Sequence, residues 1–138
     1  MSDRVTKILL VEDEPADVDM LKRFLQKTSY NLHVDHVEDG DACMAYLRNP
    51  KKPKPDVIFL DLRMPQKDGR EVLAEMKVDQ ELHQIPVVIY SSSRIEADVA
   101  KCYKLGCSAY CIKGSTLTEI AEVSKTLADF WGKHVVYP

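Results

Sequence analysis

The run Val57-Ile58-Phe59-Leu60-Asp61-Leu62-Arg63-Met64-Pro65 constrains this chain more than any other stretch. Its first four residues are apolar with no polar alternation, which reads as a strand buried on both faces, and such strands belong to parallel sheets covered by helices. Pro65 and the pair Asp68-Gly69 mark the next segment as turns rather than more sheet. Asp61 therefore stands at the carboxyl end of a central strand, the edge at which open α/β sheets bind ligands. Taken alone, an aspartate after a strand more often merely caps the next turn. What decides between the two is the company it keeps at that edge.

Four more apolar segments behave as strands. Thr6 to Val11 runs directly into Glu12-Asp13-Glu14-Pro15, with Pro15 suited to the first turn of a helix that buries Val18, Leu21 and Leu25 with Phe24 beside them. Leu32 to Val37 is interrupted by His33, Asp35 and His36, the pattern of an edge strand. Asp39 is placed to cap a helix with Ala42, Cys43, Tyr46 and Leu47 on its buried side. After Asp61, the spacing Asp68 to Glu71 predicts a capping box and a helix burying Val72, Leu73 and Met76. Ile85 to Tyr90 is another buried strand ending in Ser91, and Ser93 with Glu96 repeats the capping spacing before a helix from Ile95 to Leu105. That helix has a thin apolar side of Val99, Cys102 and Tyr103, so it is either loosely held or faces a partner. Ala109 to Ile112 is a short strand ending at Lys113. Thr116 and Glu119 open a last helix carrying Leu117, Ile120, Ala121, Leu127, Ala128 and Trp131.

Strands alternating with helices predict an α/β fold of three layers, α/β/α, with a five-stranded parallel sheet wound on both faces. A length of 138 residues fits one domain spanning 1–138, with no room after Lys113 for a separate effector module. The formal net charge of -3 offers no electrostatic footprint for nucleic acid or an anionic membrane. No signal-peptide pattern opens the chain and no apolar run is long enough to span a bilayer, so the expected location is cytoplasmic. Cys43, Cys102, Cys107 and Cys111 lack metal-binding spacing and read as reduced, mostly buried thiols.

The strand ends together form a specific set: Glu12 and Asp13 after the first strand, Asp61 after the third, Ser91 after the fourth and Lys113 after the fifth. Crowded carboxylates repel one another, and a bound cation is the usual relief. An all-oxygen donor set suits Mg²⁺, which keeps several of its waters, with Asp13 and Asp61 as ligands and Glu12 acting mainly through water. Asp61 could then serve as a carboxylate nucleophile toward phosphorus, with Lys113 and Ser91 meeting the phosphoryl oxygens.

On these residues the chain resembles the receiver domain of two-component response regulators over essentially its whole length, a flavodoxin-like fold. The resemblance implies a phosphorelay protein that accepts a phosphoryl group from a histidine kinase on Asp61. Its metal, Mg²⁺ or Mn²⁺, would be held by Glu12, Asp13, Asp61 and the backbone carbonyl of Arg63. Lys113 and Ser91 would assist, and Tyr110, three residues before the lysine, would act with Ser91 as the switch. Such a domain is not an enzyme acting on a separate substrate, although it catalyses its own phosphorylation and dephosphorylation. The segments Asp61-Leu62, Lys67 to Leu73, Ile85 to Val88 and Phe130-Trp131 are more narrowly similar to small stand-alone regulators that pair with bacterial phytochrome histidine kinases.

Two residues depart from the family pattern. Gly114 follows the lysine where proline is common, and Arg63 and Met64 make a bulky rim. A line of Ile120, Val123, Leu127 and Phe130 with the apolar tail after His134 fits either a homodimer face or a wide core stripe. Three rival functions fare worse. A phosphohydrolase with an aspartyl phosphate would want an acid where Arg63 stands. A flavin carrier would want hydroxyls where Glu12-Asp13-Glu14 would repel a phosphate. A receiver-like domain without phosphoryl chemistry would not need the full acid, hydroxyl and lysine set.

Overall fold

The computed structural model describes residues 4–138; Met1, Ser2 and Asp3, part of the stretch read as lacking a signal sequence, lie outside the described residues. Strands β1 (Thr6–Val11), β2 (Leu32–Val37), β3 (Val57–Leu60), β4 (Val87–Ser91) and β5 (Ala109–Ile112) alternate with helices α1 (Pro15–Gln26), α2 (Gly40–Arg48), α3 (Gly69–Lys77), α4 (Glu96–Lys104) and α5 (Leu117–Asp129). All neighbouring strands pair in parallel, in the order β2-β1-β3-β4-β5. The interrupted strand β2 does lie at an edge, and the uninterrupted β3 lies at the centre.

Because strand side chains alternate between faces, each strand feeds two cores. Leu9, Val11, Ile58, Leu60, Val87 and Ile89 point to one face, where α2, α3 and α4 cover them with Cys43, Met44, Val72, Leu73, Met76 and Cys102. Ile8, Leu10, Val57, Phe59, Val88 and Tyr90 point to the other, where α1 supplies Val18, Leu21 and Leu25, α5 supplies Leu127 and Ala128, and the turn after α5 supplies Trp131. Phe59 and its β3 neighbours are fully shielded from solvent.

Local signals set most helix starts. Asp39 accepts from the amide of Ala42 at 2.8 Å, and Asp68 with Glu71 and Thr116 with Glu119 both form capping boxes. The expected box at Ser93 and Glu96 does not form. Ile95 occupies the cap position of α4 without a side-chain bond, because the Ser93 hydroxyl donates instead to Asp98 at 2.7 Å. On α2, Met44 joins Cys43 in the core while Ala42, Tyr46 and Leu47 are half-buried.

The last helix answers part of the question left by its apolar line. Leu127 and Ala128 are core residues and Val123 packs against them, whereas Leu117 and Phe130 stand exposed. After α5 the chain widens into a π-type turn over Phe130–His134, closed by the amide of Val135 donating to Phe130 at 2.9 Å. That turn swings Trp131 inward, and the hydroxyl of Tyr137 donates to the Trp131 carbonyl at 2.5 Å, tying the tail down.

All four cysteines are free thiols, three of them buried. Burial pushes Cys43 up to about 12 and Cys102 up to about 11, so both stay protonated at neutral pH.

Trp131 is the single tryptophan of the chain and only 8% exposed. Trp131→Ala is expected to lower stability by about 3–5 kcal/mol, the usual cost of emptying an aromatic site in a core, measured by urea unfolding followed by circular dichroism.

Candidate functional site

The sheet register brings the strand ends together. Val11 lies opposite Leu60, so the residues that come next in each strand, Glu12 and Asp61, leave the sheet side by side. The amide of Asp61 donates to the Val11 carbonyl at 3.0 Å, and that of Glu12 to Val37 at 3.1 Å. Across β4, the amide of Lys113 donates to Ser91 at 2.9 Å. Glu12 is 1% exposed, Asp61 7% and Ser91 2%, while Asp13 projects into solvent.

Glu12, Asp13 and Asp61 each offer a carboxylate oxygen within 4.8 Å of the others, a set that could hold a metal ion. The donors fit a hard divalent cation in chemistry as well as spacing: all are carboxylate oxygens, and they carry more negative charge than nearby cations offset. Oε1 of Glu12 is buried and meets the Lys113 ammonium in an ion pair. Burial pushes the Glu12 carboxyl up to about 7 against the pull of Lys113, and the Asp61 charge adds to the rise. Burial likewise raises Asp61, opposed by Lys113 and by the amide of Leu62, which donates to its Oδ1 at 2.9 Å.

Lys113 is the counter-charge. Its Nζ touches Glu12, donates to Asp17 Oδ2 at 3.0 Å and stands 3.5 Å from Asp61 Oδ2. The Tyr90 ring lies 5.8 Å below it. Burial by itself would depress the ammonium, but Glu12, Asp61 and Asp17 together hold it above the ordinary lysine range.

Ser91 and Tyr110 share one loop. The Ser91 hydroxyl accepts from the amide of Ser93 at 3.1 Å, and the hydroxyl of Tyr110 donates to the carbonyl of Ser93 at 2.9 Å. The Tyr110 side chain is thus already turned toward the segment after Ser91. Arg63 lies on the loop leaving Asp61, and its guanidinium reaches across to Asp98 at 3.0 Å. The rim is less bulky than its residue types implied, because Met64 is buried and packs into the core.

Several contributors escaped the sequence reading. Asp98 is 7% exposed and receives Arg63, Arg70 and Ser93, so it joins the β3–α3 loop, α3 and the β4–α4 loop to α4. The α4 helix, thinly apolar as expected, is held here by charge. Asp17 and His36 are the others: His36 Nε2 lies 2.7 Å from the Glu12 carbonyl and braces the acidic loop from β2. Acids and histidines on half-exposed helix and strand faces look alike in sequence whether or not they reach a site.

Two glycines let the loops approach so closely. A Cβ on Gly69 would lie 2.3 Å from the Asp61 carbonyl oxygen, and one on Gly114 would lie 2.5 Å from the amide nitrogen of Ile120. Both positions exclude any side chain. Gly114 therefore suits its place as a packing residue against the first turn of α5.

The sequence pattern of the response regulator receiver domain matches residues 8–125. The response regulator Rcp1 of Synechocystis sp. is 37% identical over 135 residues, covering 95% of this chain and 92% of that protein. A crystal structure of the Mn²⁺-bound form of Rcp1 superposes with a TM-score of 0.91 at 36% identity, covering 96% of this chain and 99% of that one. The phosphorylated cyanobacterial phytochrome response regulator RcpA gives a TM-score of 0.93 at 39% identity, covering 98% and 99%. Among the described residues, no helix is long and apolar enough to cross a membrane.

Glu12→Gln and Asp13→Asn are each expected to weaken Mn²⁺ binding by at least about tenfold, since even residues that only support metal ligands are worth that much. Titration calorimetry on the purified chain checks this; unchanged affinity in both variants would place the ion elsewhere.

Proposed function

The chain belongs to the response regulator receiver family, and from that membership we propose that it takes a phosphoryl group from a histidine kinase onto Asp61. The observation that carries the reading is the meeting of Asp61 with Lys113 at 3.5 Å beside Glu12 and Asp13, at the carboxyl edge of the central strands.

In this reading an Asp61 carboxylate oxygen attacks phosphorus, the new P–O bond forms as the bond to the donor nitrogen breaks, and the imidazole leaves with that electron pair. Lys113 meets the charge on the incoming phosphoryl oxygens and Ser91 donates a hydrogen bond to one of them. A magnesium ion held by Glu12, Asp13, Asp61 and the Arg63 carbonyl would supply the charge neutralisation that one ammonium does not provide. The same groups would support phosphorylation by small phosphodonors and the later hydrolysis of the acyl phosphate, so the domain acts on itself rather than on a separate substrate.

The output is a change of surface. Phosphorylation gives Ser91 and Lys113 new acceptors, and the loop carrying Ser93 is bonded to Tyr110 and, through Asp98, to α4. In this reading the phosphoryl group chooses between two placements of Tyr110, one of them bonded to the Ser93 carbonyl. Exposed Ile95 and Tyr103 at α4 and Leu117 at the start of α5 favour these two helices as the face offered to a second copy or a downstream protein. The similarity to the phytochrome response regulator RcpA favours a phytochrome histidine kinase as donor, acting in the cytoplasm.

Incubation with acetyl phosphate and Mg²⁺ is expected to add one phosphoryl group, labile to hydroxylamine, to the wild-type chain and none to Asp61→Asn. Intact-mass spectrometry reads both. Full labelling of Asp61→Asn would remove Asp61 from the role.

A further inference from the structure

Lys113 has three N–H donors and three carboxylates around it, and they are not served equally. Glu12 is in contact, Asp17 accepts a hydrogen bond at 3.0 Å, and Asp61 stands farthest at 3.5 Å, outside the usual hydrogen-bond range. Glu12 follows β1, and Asp17 lies in the first turn of α1, so both nearer acids approach from the β1–α1 side. Asp17 is not at a strand end, and its carboxylate is 38% exposed. It falls outside the metal-capable group of Glu12, Asp13 and Asp61.

We propose that Asp17 is a positioning residue that anchors the Lys113 ammonium away from Asp61 in the unphosphorylated protein, and that Lys113 must release it to reach a phosphoryl group on Asp61. The proposal rests on Asp61 as the acceptor. Held between Glu12 and Asp17, the lysine leaves an Asp61 oxygen free of a tight ammonium contact and available as the attacking atom. Once phosphoryl oxygens stand on Asp61, they compete with Asp17 for the position of the ammonium. An interaction made in only one of two states opposes the other by its own strength. The Asp17 carboxylate therefore works against the phosphorylated state, and removing its charge while keeping its shape favours that state.

The test uses the full chain with Mg²⁺ and beryllofluoride as a phosphoryl mimic, titrated to give a Kd. Asp17→Asn is expected to bind about threefold tighter, the scale of a partly exposed ion pair. Asp17→Glu, which keeps the charge, returns the Kd toward wild type. In a Lys113→Ala background Asp17→Asn changes nothing, a result that a merely structural role for Asp17 would not produce. Unchanged or weaker binding by Asp17→Asn, or the same gain without Lys113, overturns the proposal.

A second measurement needs neither metal nor mimic. The rate at which an amine-acylating reagent modifies Lys113, located by peptide mass spectrometry, rises in Asp17→Asn if the anchor shields the amine; an unchanged rate overturns the proposal. Faster acylation in a chain whose wild type ignores beryllofluoride would support the anchor and count instead against Asp61 as acceptor.

Discussion

Two nearly buried carboxylates side by side require positive charge, and the carboxyl edge of this sheet is arranged around that requirement. Glu12 and Asp61 are withdrawn from water by the same register that aligns β1 with β3. Leaving such groups without compensation costs several kcal/mol each. Lys113 answers both from the end of β5, reaching back over Tyr90 to sit among them. One ammonium does not balance Glu12, Asp13, Asp17 and Asp61, so the edge remains an attractive place for a further cation. Charge that a fold meant only for stability would avoid is concentrated here, which is how perturbed carboxylates come to mark sites of chemistry.

The two cores divide the labour around this edge. On the α1 and α5 side, apolar packing is continuous from Val18 to Trp131 and the lysine rests against Tyr90. On the other side, α4 contributes little apolar surface beyond Cys102 and is fastened through Asp98 to Arg63, Arg70 and Ser93. An element held by ion pairs at a rim responds to nearby charge, whereas one held by buried hydrocarbon does not. The helix nearest the Ser91 loop is thus the one whose attachment a new phosphoryl charge can alter.

Much of this was legible in the sequence because it rests on periodicity and position. Apolar runs gave the strands, the polar residue after each run gave Glu12, Asp61, Ser91 and Lys113, and capping spacings at Asp68 and Thr116 gave the starts of α3 and α5. What stayed hidden depends on tertiary approach. Ser93 and Glu96 carry the same spacing as the true boxes, yet a buried acid two residues beyond Glu96 captures the serine hydroxyl. Asp17, His36 and Asp98 sit on faces whose neighbours come from distant strands and helices. The apolar line of α5 could not be divided by pattern either, because only packing shows that Leu127 is core while Phe130 meets solvent.

Gly114 gives the lysine a mechanical neighbour. The α-carbon of Gly114 faces the backbone where Glu119 joins Ile120 with no space between for a side chain, so the residue after Lys113 packs directly on α5. The ammonium can shift by side-chain rotation alone, whereas a shift of the Lys113 backbone would meet the opening turn of α5, which Thr116 and Glu119 cap. The residue beside the charge centre is thereby the place where the sheet edge and the last helix meet backbone to backbone.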